Sequence, residues 1–126
     1  MRKLLNEELE RLDISDFKVA KKIPVAVVLD NVRSMHNIGS VFRTSDAFRI
    51  ECLMLCGITA VPPNKEIHKT ALGSTESVDW SYYERTEDAI AELKNNAYKI
   101  CSIEQVEGSK LLSEFEISCD TKYALV

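Results

Sequence analysis

Two short apolar runs, with a polar stretch between them, limit what this chain can fold into more than any other feature. Residues Val25–Leu29 and Cys52–Cys56 are almost wholly apolar, and the residues from Asp30 to Phe48 separate them. Apolar runs of this length, bounded by turn residues, are typical of strands that are buried on both faces. We therefore predict a strand, a turn, a helix and a second strand. In a parallel sheet of this kind, ligands bind in the crevice outside the carboxyl ends of the strands.

The rest of the chain continues the alternation of strands and helices. We predict a helical turn from Lys65 that ends at Gly73, and a helix that Thr86 caps and Asn95-Asn96 closes. Further strands are predicted at Val78–Tyr83, Tyr98–Ile103 and Tyr123–Val126. This order predicts the fold class α/β, with a largely parallel sheet flanked by helices.

The first 22 residues are predicted to form an N-terminal helix and a connection, and residues 23–126 the main domain. Leu5, Leu9 and Leu12 recur at helical spacing, so the helix is expected to run from Arg2 to Leu12. A polar connection from Asp13 to the first strand follows.

The helix between the two apolar runs is predicted to begin near Asn37, whose side chain is suited to cap it. Its apolar residues recur at helical spacing and form one stripe that packs on the sheet: Ile38, Val41, Phe42 and Phe48.

Gly39 and Arg43 lie four residues apart, on the flank beside that stripe. A glycine in the first turn of a helix costs about 1 kcal/mol relative to alanine, so the close approach of another group is a good reason for it. The guanidinium of Arg43 can hold a phosphate or a carboxylate through two hydrogen bonds. The structural alternative is an ion pair of Arg43 with Asp46, and the residues alone leave both open.

Two segments carry a resemblance to a known family. The pattern Asn37-x-Gly39-x-x-x-Arg43, after a strand that ends in Asp30-Asn31, resembles the first motif of the SpoU (TrmH) class of RNA methyltransferases, within the SPOUT superfamily of knotted methyltransferases. Residues Lys69–Val78 are similar to the small-residue segment that follows the second strand in that family. The resemblance runs from about Pro24 to Val126.

The resemblance implies transfer of a methyl group from S-adenosylmethionine to a ribose 2′-hydroxyl of tRNA or rRNA. It implies that Arg43 and Asn37 are catalytic. Arg43 either acts on the hydroxyl itself or fixes the target phosphate, and the sequence does not separate these roles.

Binding roles are expected at further residues, from local positive charge as well as from the resemblance. RNA contacts are expected at Gly39, Arg33 and Lys69, and Glu104 and Gln105 are expected to face the adenosine of the cofactor. A complete member is expected to be a homodimer.

Family members continue into a Gly-Asn-Glu motif and a final apolar motif, which build the trefoil knot and most of the cofactor pocket. Residues 23–126 are therefore expected to form an incomplete SPOUT domain that binds S-adenosylmethionine negligibly when isolated. The alternative function is that of a non-catalytic RNA-binding α/β protein.

Composition adds limits. The net charge is −4, so any affinity for RNA must come from local positive charge such as that around Arg33, His36 and Arg43. The four cysteines do not make a zinc set, and reduced buried thiols are expected. Without a signal peptide or an apolar run of membrane-spanning length, a cytoplasmic location with no membrane partner is the expectation.

Overall fold

Five parallel strands form the sheet that positions every other element. The computed structural model describes residues 1–126, with Asn6 described by its backbone alone. The strands are β1 Ile23–Asp30, β2 Ile50–Cys56, β3 Trp80–Tyr83, β4 Tyr98–Cys101 and β5 Lys122–Leu125. Their spatial order is β3-β2-β1-β5-β4, and every neighbouring pair is parallel. The predicted α/β class and the parallel sheet are confirmed.

Helices connect the first four strands, as parallel pairing requires, while one helix precedes the first strand and a 3-10 turn lies between the last two strands. They are α1 Ile14–Val19, α2 Met35–Phe48, α3 Lys65–Ala71, α4 Ser74–Ser77 and α5 Thr86–Asn95, and short 3-10 turns lie at Asn6–Leu9 and Leu112–Glu114. None of the helices in the described part of the chain is long and apolar enough to cross a membrane.

The first apolar run became the central strand. Val27 of β1 pairs with Leu53 of β2 on one side and with Leu125 of β5 on the other. The strand therefore has neighbours at both edges and packed layers on both faces, which is why its sequence is apolar at nearly every position.

Each face of the sheet carries its own core. One face packs against α1, α2 and α3, with the largest buried side chains at Ile38, Phe42, Leu53, Leu55 and Ile67. The other packs against α5, through residues such as Val28, Met54, Ala89 and Leu93. Burial of one such side chain stabilises the fold by about 1.5–3 kcal/mol.

The N-terminal prediction was wrong. Residues 2–12 hold a 3-10 turn in place of an α-helix, and Leu5, Leu9 and Leu12 stay exposed. A short helix has a costly nucleus and needs a packed face to stabilise it, and the leucine stripe finds no such face here.

An α-helix forms instead inside the predicted connection. Asp13 caps α1 by accepting a hydrogen bond from the backbone N–H of Asp16 at 2.8 Å. Phe17 then inserts into the core beside α2. Residues 14–19 thus share the core of the main domain.

Three smaller predictions also need correction. Thr86 is the first residue of α5 and Arg85 is its cap, without a side-chain capping bond. The turn after α3 passes through both Leu72 and Gly73 with positive φ and leads into α4, which the sequence did not predict. Phe48, expected in the buried stripe of α2, is 66% exposed at the end of that helix.

Candidate functional site

Helix α2 begins just past the carboxyl end of β1. Ser34 caps it, because the Ser34 hydroxyl accepts a hydrogen bond from the Asn37 backbone N–H at 3.2 Å. Asn37 was predicted as the cap and instead lies in the first turn with its side chain exposed. Its amide remains open to a ligand.

Gly39 is buried where α2 crosses α3. A Cβ added at this glycine would lie 2.1 Å from Thr70 Oγ1 and 2.2 Å from the Ile67 carbonyl oxygen. The closely approaching group that the sequence implied is therefore a helix of this chain. This corrects the expectation that Gly39 offers its gap to a substrate, because the glycine serves helix packing.

Arg43 lies two turns into α2, about 12 Å along the axis from Met35 at 1.5 Å per residue. Its side chain is exposed and makes no ion pair or hydrogen bond within the described part of the chain. Asp46, its expected alternative partner, accepts a hydrogen bond from the Ser77 hydroxyl at 2.6 Å. The structural alternative for Arg43, an ion pair with Asp46, is not formed.

Arg43 faces a cavity of about 590 Å³ that we call the lateral cavity. The residues that line it come from three places: residues 10–17 of the N-terminal segment, the second half of α2, and residues 71–77 around the junction of α3 and α4. Its charged side chains include Arg11, Arg49 and Asp13 besides Arg43.

A second cavity of about 450 Å³, here called the edge cavity, opens at the carboxyl ends of β1, β4 and β5. Its walls are mainly apolar, and its polar lining includes Asp30, Ser102 and Glu104. A mostly apolar cleft with a few polar groups is the usual form of a cofactor site, and carboxylates there can accept hydrogen bonds from ribose hydroxyls. Of the two predicted cofactor residues, Glu104 lines this cavity, whereas Gln105 is exposed outside its lining.

Three residues that line the edge cavity, Leu29, Asp30 and Val32, are held by long-range hydrogen bonds that the sequence did not predict. The buried Thr59 hydroxyl donates to the Leu29 carbonyl at 2.9 Å and accepts from the Val32 N–H at 3.0 Å. Thr86, displaced from its expected capping role, donates to the Asp30 carboxylate at 2.5 Å. The partners lie 27 to 56 residues apart, so these hydrogen bonds cannot be predicted from local sequence spacing.

The remaining predicted RNA-contacting residues lie away from both cavities. Arg33 is exposed in the connection between β1 and α2. Lys69 on α3 is exposed and pairs with Glu66 at 2.8 Å, and His36 Nε2 lies 3.3 Å from the same carboxylate. The Lys69 ammonium, and secondly His36, holds the pKa of Glu66 below its ordinary value.

Neither Cys52 nor Cys56 shows the sign of an activated nucleophile. Burial raises the pKa of Cys52 to about 11, with further contributions from the nearby carboxylates Glu51 and Asp79. Burial also raises the pKa of Cys56. Among the described side chains, no group of three or more His, Cys, Asp or Glu is placed to hold a metal ion.

A family match covers the sheet and the whole lining of the edge cavity, and it leaves the residues 10–17 that line the lateral cavity outside. The model of the SpoU rRNA Methylase family matches residues 24–126. This chain belongs to that family. The match confirms the resemblance drawn from Asn37, Gly39 and Arg43.

Known relatives of this SpoU family chain are longer proteins. It is 31% identical over 72 residues to the 23S rRNA (guanosine-2′-O-)-methyltransferase RlmB of Vibrio parahaemolyticus, covering 57% of this chain and 29% of that protein. The chain spans about a third of the length of the curated relatives it matches.

Solved structures show the same fold. The AdoMet-bound rRNA methyltransferase of Sinorhizobium meliloti superposes with a TM-score of 0.73 at 24% identity, over 83% of this chain and 39% of that one. The TrmH/SpoU tRNA modifying enzyme of A. aeolicus gives 0.73 at 20% identity, over 89% and 55%. At these identities the likeness establishes the architecture.

Proposed function

We propose that the protein takes part in S-adenosylmethionine-dependent methylation of a ribose 2′-hydroxyl in rRNA or tRNA. The observation that carries this proposal is the family match across residues 24–126, within which Asn37 and Arg43 keep the motif spacing and stay exposed on one helix. The name of the RlmB relative supports 2′-O-methylation as the reaction.

The edge cavity is the proposed cofactor site. S-adenosylmethionine supplies an electrophilic methyl group, so the protein has to hold a ribose oxygen in line with it. Such positioning can contribute roughly 7–11 kcal/mol to catalysis. Glu104 would accept hydrogen bonds from the ribose of the cofactor, and the apolar walls, including Val27 and Leu125, would enclose its adenine.

Arg43 is proposed to orient the target nucleotide. Guanidinium groups stay protonated in proteins, so an unassisted arginine is a poor proton acceptor. A planar group with no partner of its own suits the two-point binding of a phosphate. Asn37, two turns nearer the start of α2, would hydrogen-bond the ribose or the base.

We propose a homodimer, because one copy keeps the two cavities apart. Val41 lines the edge cavity and Arg43 lines the lateral cavity, and their separation of two residues places these side chains about 160° apart around the helix axis. A second copy can bring its own Arg43 to the edge cavity of the first. Large apolar side chains in the segment after β4 remain exposed, namely Ile103, which lines that cavity, Val106 and Leu111.

Two measurements test the proposed activity. Mass mapping of 2′-O-methyl sites in cells with and without the gene should show loss of a methylated position in rRNA or tRNA. In single-turnover assays with the complete gene product, Arg43→Ala should lower the methylation rate by roughly 10²-fold or more, as loss of a proton-transfer or positioning group does.

The matched control is Arg85→Ala, which removes an exposed arginine that lies 3.8 Å from Glu87 and lines neither cavity. An unchanged methylation map would contradict the proposed activity. RNA binding without any transfer would favour the alternative, a non-catalytic RNA-binding protein. Light scattering that finds only monomer at assay concentrations would overturn the homodimer.

A further inference from the structure

Most of the residues that line the lateral cavity have no role in the reaction outlined above. Arg43 shares it with Arg11 from the N-terminal segment and with Arg49 at the end of α2. We propose that this cavity binds one nucleotide of single-stranded RNA, and that Arg11 and Arg49 hold its backbone phosphate together with Arg43. The inference rests on the proposed function. It adds Arg11, Arg49 and the N-terminal segment to the proposed RNA site.

The arginines that line this cavity have no partner within the described residues, in contrast to Arg2 and Arg85 elsewhere in the chain. Arg2 pairs with Glu8 at 2.7 Å, and Arg85 lies 3.8 Å from Glu87. The side chains of Arg11, Arg43 and Arg49 make no ion pair and no hydrogen bond to any described residue. Three unpaired arginines that line one cavity suit a phosphodiester, which accepts several charge-assisted hydrogen bonds at once.

The cavity is also lined by carboxylates, and these favour a nucleotide over a free anion as its ligand. They are Glu10, Asp13, Asp46 and Glu76. Asp13 is occupied as the cap of α1, and Asp46 accepts from Ser77. Glu10 and Glu76 make no ion pair within the described residues, and they would repel a simple anion.

A nucleotide satisfies both kinds of group. Its phosphate accepts from the arginines, while its ribose hydroxyls and base amino groups donate to carboxylates, as base edges do in protein complexes with single-stranded RNA. The volume of about 590 Å³ lies within the usual range for small-molecule sites.

The fold explains why the N-terminal segment forms a wall of this cavity. Phe17 is buried in the core, so α1 is anchored beside α2 and α4. Residues 10–13, directly before α1, are thereby held across from Arg43 and Arg49. The N-terminal segment would contact RNA through Arg11 even though its leucines form no helix face that packs on the core.

The test measures RNA affinity as a function of salt. A short fluorescein-labelled single-stranded RNA of mixed sequence is titrated with the protein, and Kd is followed by fluorescence anisotropy at several salt concentrations. Arg11→Ala and Arg49→Ala should each raise Kd roughly tenfold, since each removes a charge-assisted hydrogen bond. Each should also flatten the slope of log K against log salt by about 0.7, the value for one phosphate contact of a single strand.

Arg85→Ala is the control and should leave both Kd and slope unchanged. Arg49→Lys should restore most of the slope and less of the affinity, because an ammonium keeps the charge but loses the two-point geometry. Thermal unfolding of each variant separates binding from folding, and Arg49→Gln, which keeps most of the side-chain length, replaces Arg49→Ala if the latter does not fold.

Unchanged RNA affinity and salt slope in both folded arginine variants would overturn the inference. An equal loss of RNA affinity in Arg85→Ala would also overturn it, because it would indicate non-specific electrostatic attraction over the whole surface. The outcome is separable from that of the proposed function. If the arginine variants lose RNA binding but the protein transfers no methyl group, the cavity assignment stands and the activity fails. If methylation is found and the variants bind RNA normally, only the cavity assignment fails.

Discussion

Gly39 shows how one residue of a motif can be interpreted in two ways. Its position in the first motif suggested a gap for a substrate, and the structure shows that the gap is filled by α3. Thr70 Oγ1 donates a hydrogen bond to the His36 carbonyl at 2.9 Å at the same crossing. The glycine thus fixes the start of α2, and with it Asn37, against a neighbouring helix.

Gly39→Ala should destabilise the protein. The added Cβ would overlap Thr70 Oγ1 and the backbone oxygen of Ile67, so α3 has to move. Overpacking of this kind typically costs about 1–3 kcal/mol, and the better helix propensity of alanine offsets only about 1 kcal/mol of it. Chemical denaturation measures the difference. Ser40→Ala, at the exposed next position, should stay within about 0.5 kcal/mol of the wild type, and an equally mild Gly39→Ala would contradict the packing role.

Thiol reactivity should report the burial of β2. With its pKa raised to about 11, Cys52 carries roughly one thousandth of its population as thiolate at pH 8, and the thiolate is the form that reacts. Iodoacetamide at pH 8 should therefore modify the exposed Cys119 first and leave Cys52 and Cys56 protected until the protein is denatured. Peptide mass mapping gives the order. Labelling of Cys52 as fast as Cys119 would show that β2 is not buried as described.

At the scale of elements, the caps decide where the short helices begin. Asn64 caps α3 with one side-chain oxygen that accepts from the N–H groups of Glu66 and Ile67, at 2.9 and 3.2 Å. A seven-residue helix gains little from its own propagation, so this cap and the contact with α2 hold α3 in place.

Asn64→Ala should cost about 1 kcal/mol of stability, the typical value for loss of a side-chain cap. Arg85→Ala is the matched control, since Arg85 occupies the same position of α5 without a capping bond, and it should change stability by less than about 0.5 kcal/mol. Urea titrations of the two variants give the comparison. Equal effects would mean that the Asn64 side chain does not cap α3.

At the scale of the whole molecule, several surface carboxylates link stability to pH. The Arg2 guanidinium lowers the pKa of Glu8, the Asp16 backbone N–H lowers that of Asp13, and the Lys69 ammonium lowers that of Glu66. A carboxylate with a depressed pKa contributes stability that is fully present above its unfolded-state pKa. That contribution is lost as the pH falls through the folded-state pKa.

The thermal midpoint should accordingly change little between pH 7 and 5 on account of these groups, and it should fall below about pH 4.5, the ordinary value for glutamate. Each contribution is small because these carboxylates lie at the surface, where solvent screens their interactions. Calorimetry of Glu66→Gln should show a shallower acid dependence than the wild type. A steeper one would reverse the assigned direction of the Glu66 shift.

The strands that build the sheet could be predicted because their signal is local. The runs at Val25–Leu29 and Cys52–Cys56 are apolar because an interior parallel strand is buried on both faces. Burial on both faces requires consecutive apolar residues, and such a run can be recognised in the sequence. The spacing of Asn37 and Arg43 was also visible along the chain, and the family match confirms the resemblance based on it.

Tertiary structure alone decided the rest, because the contacts concerned join distant residues. The packing partner of Gly39 lies on another helix. Thr59 and Thr86 form hydrogen bonds with residues 27 to 56 positions away in the sequence. The leucines of residues 5–12 do not form an α-helix, because no surface of the domain packs against them. The same holds for the division of Arg43 and Glu104 between two cavities. The sequence determined which residues are available, and the path of the chain determined which of them meet.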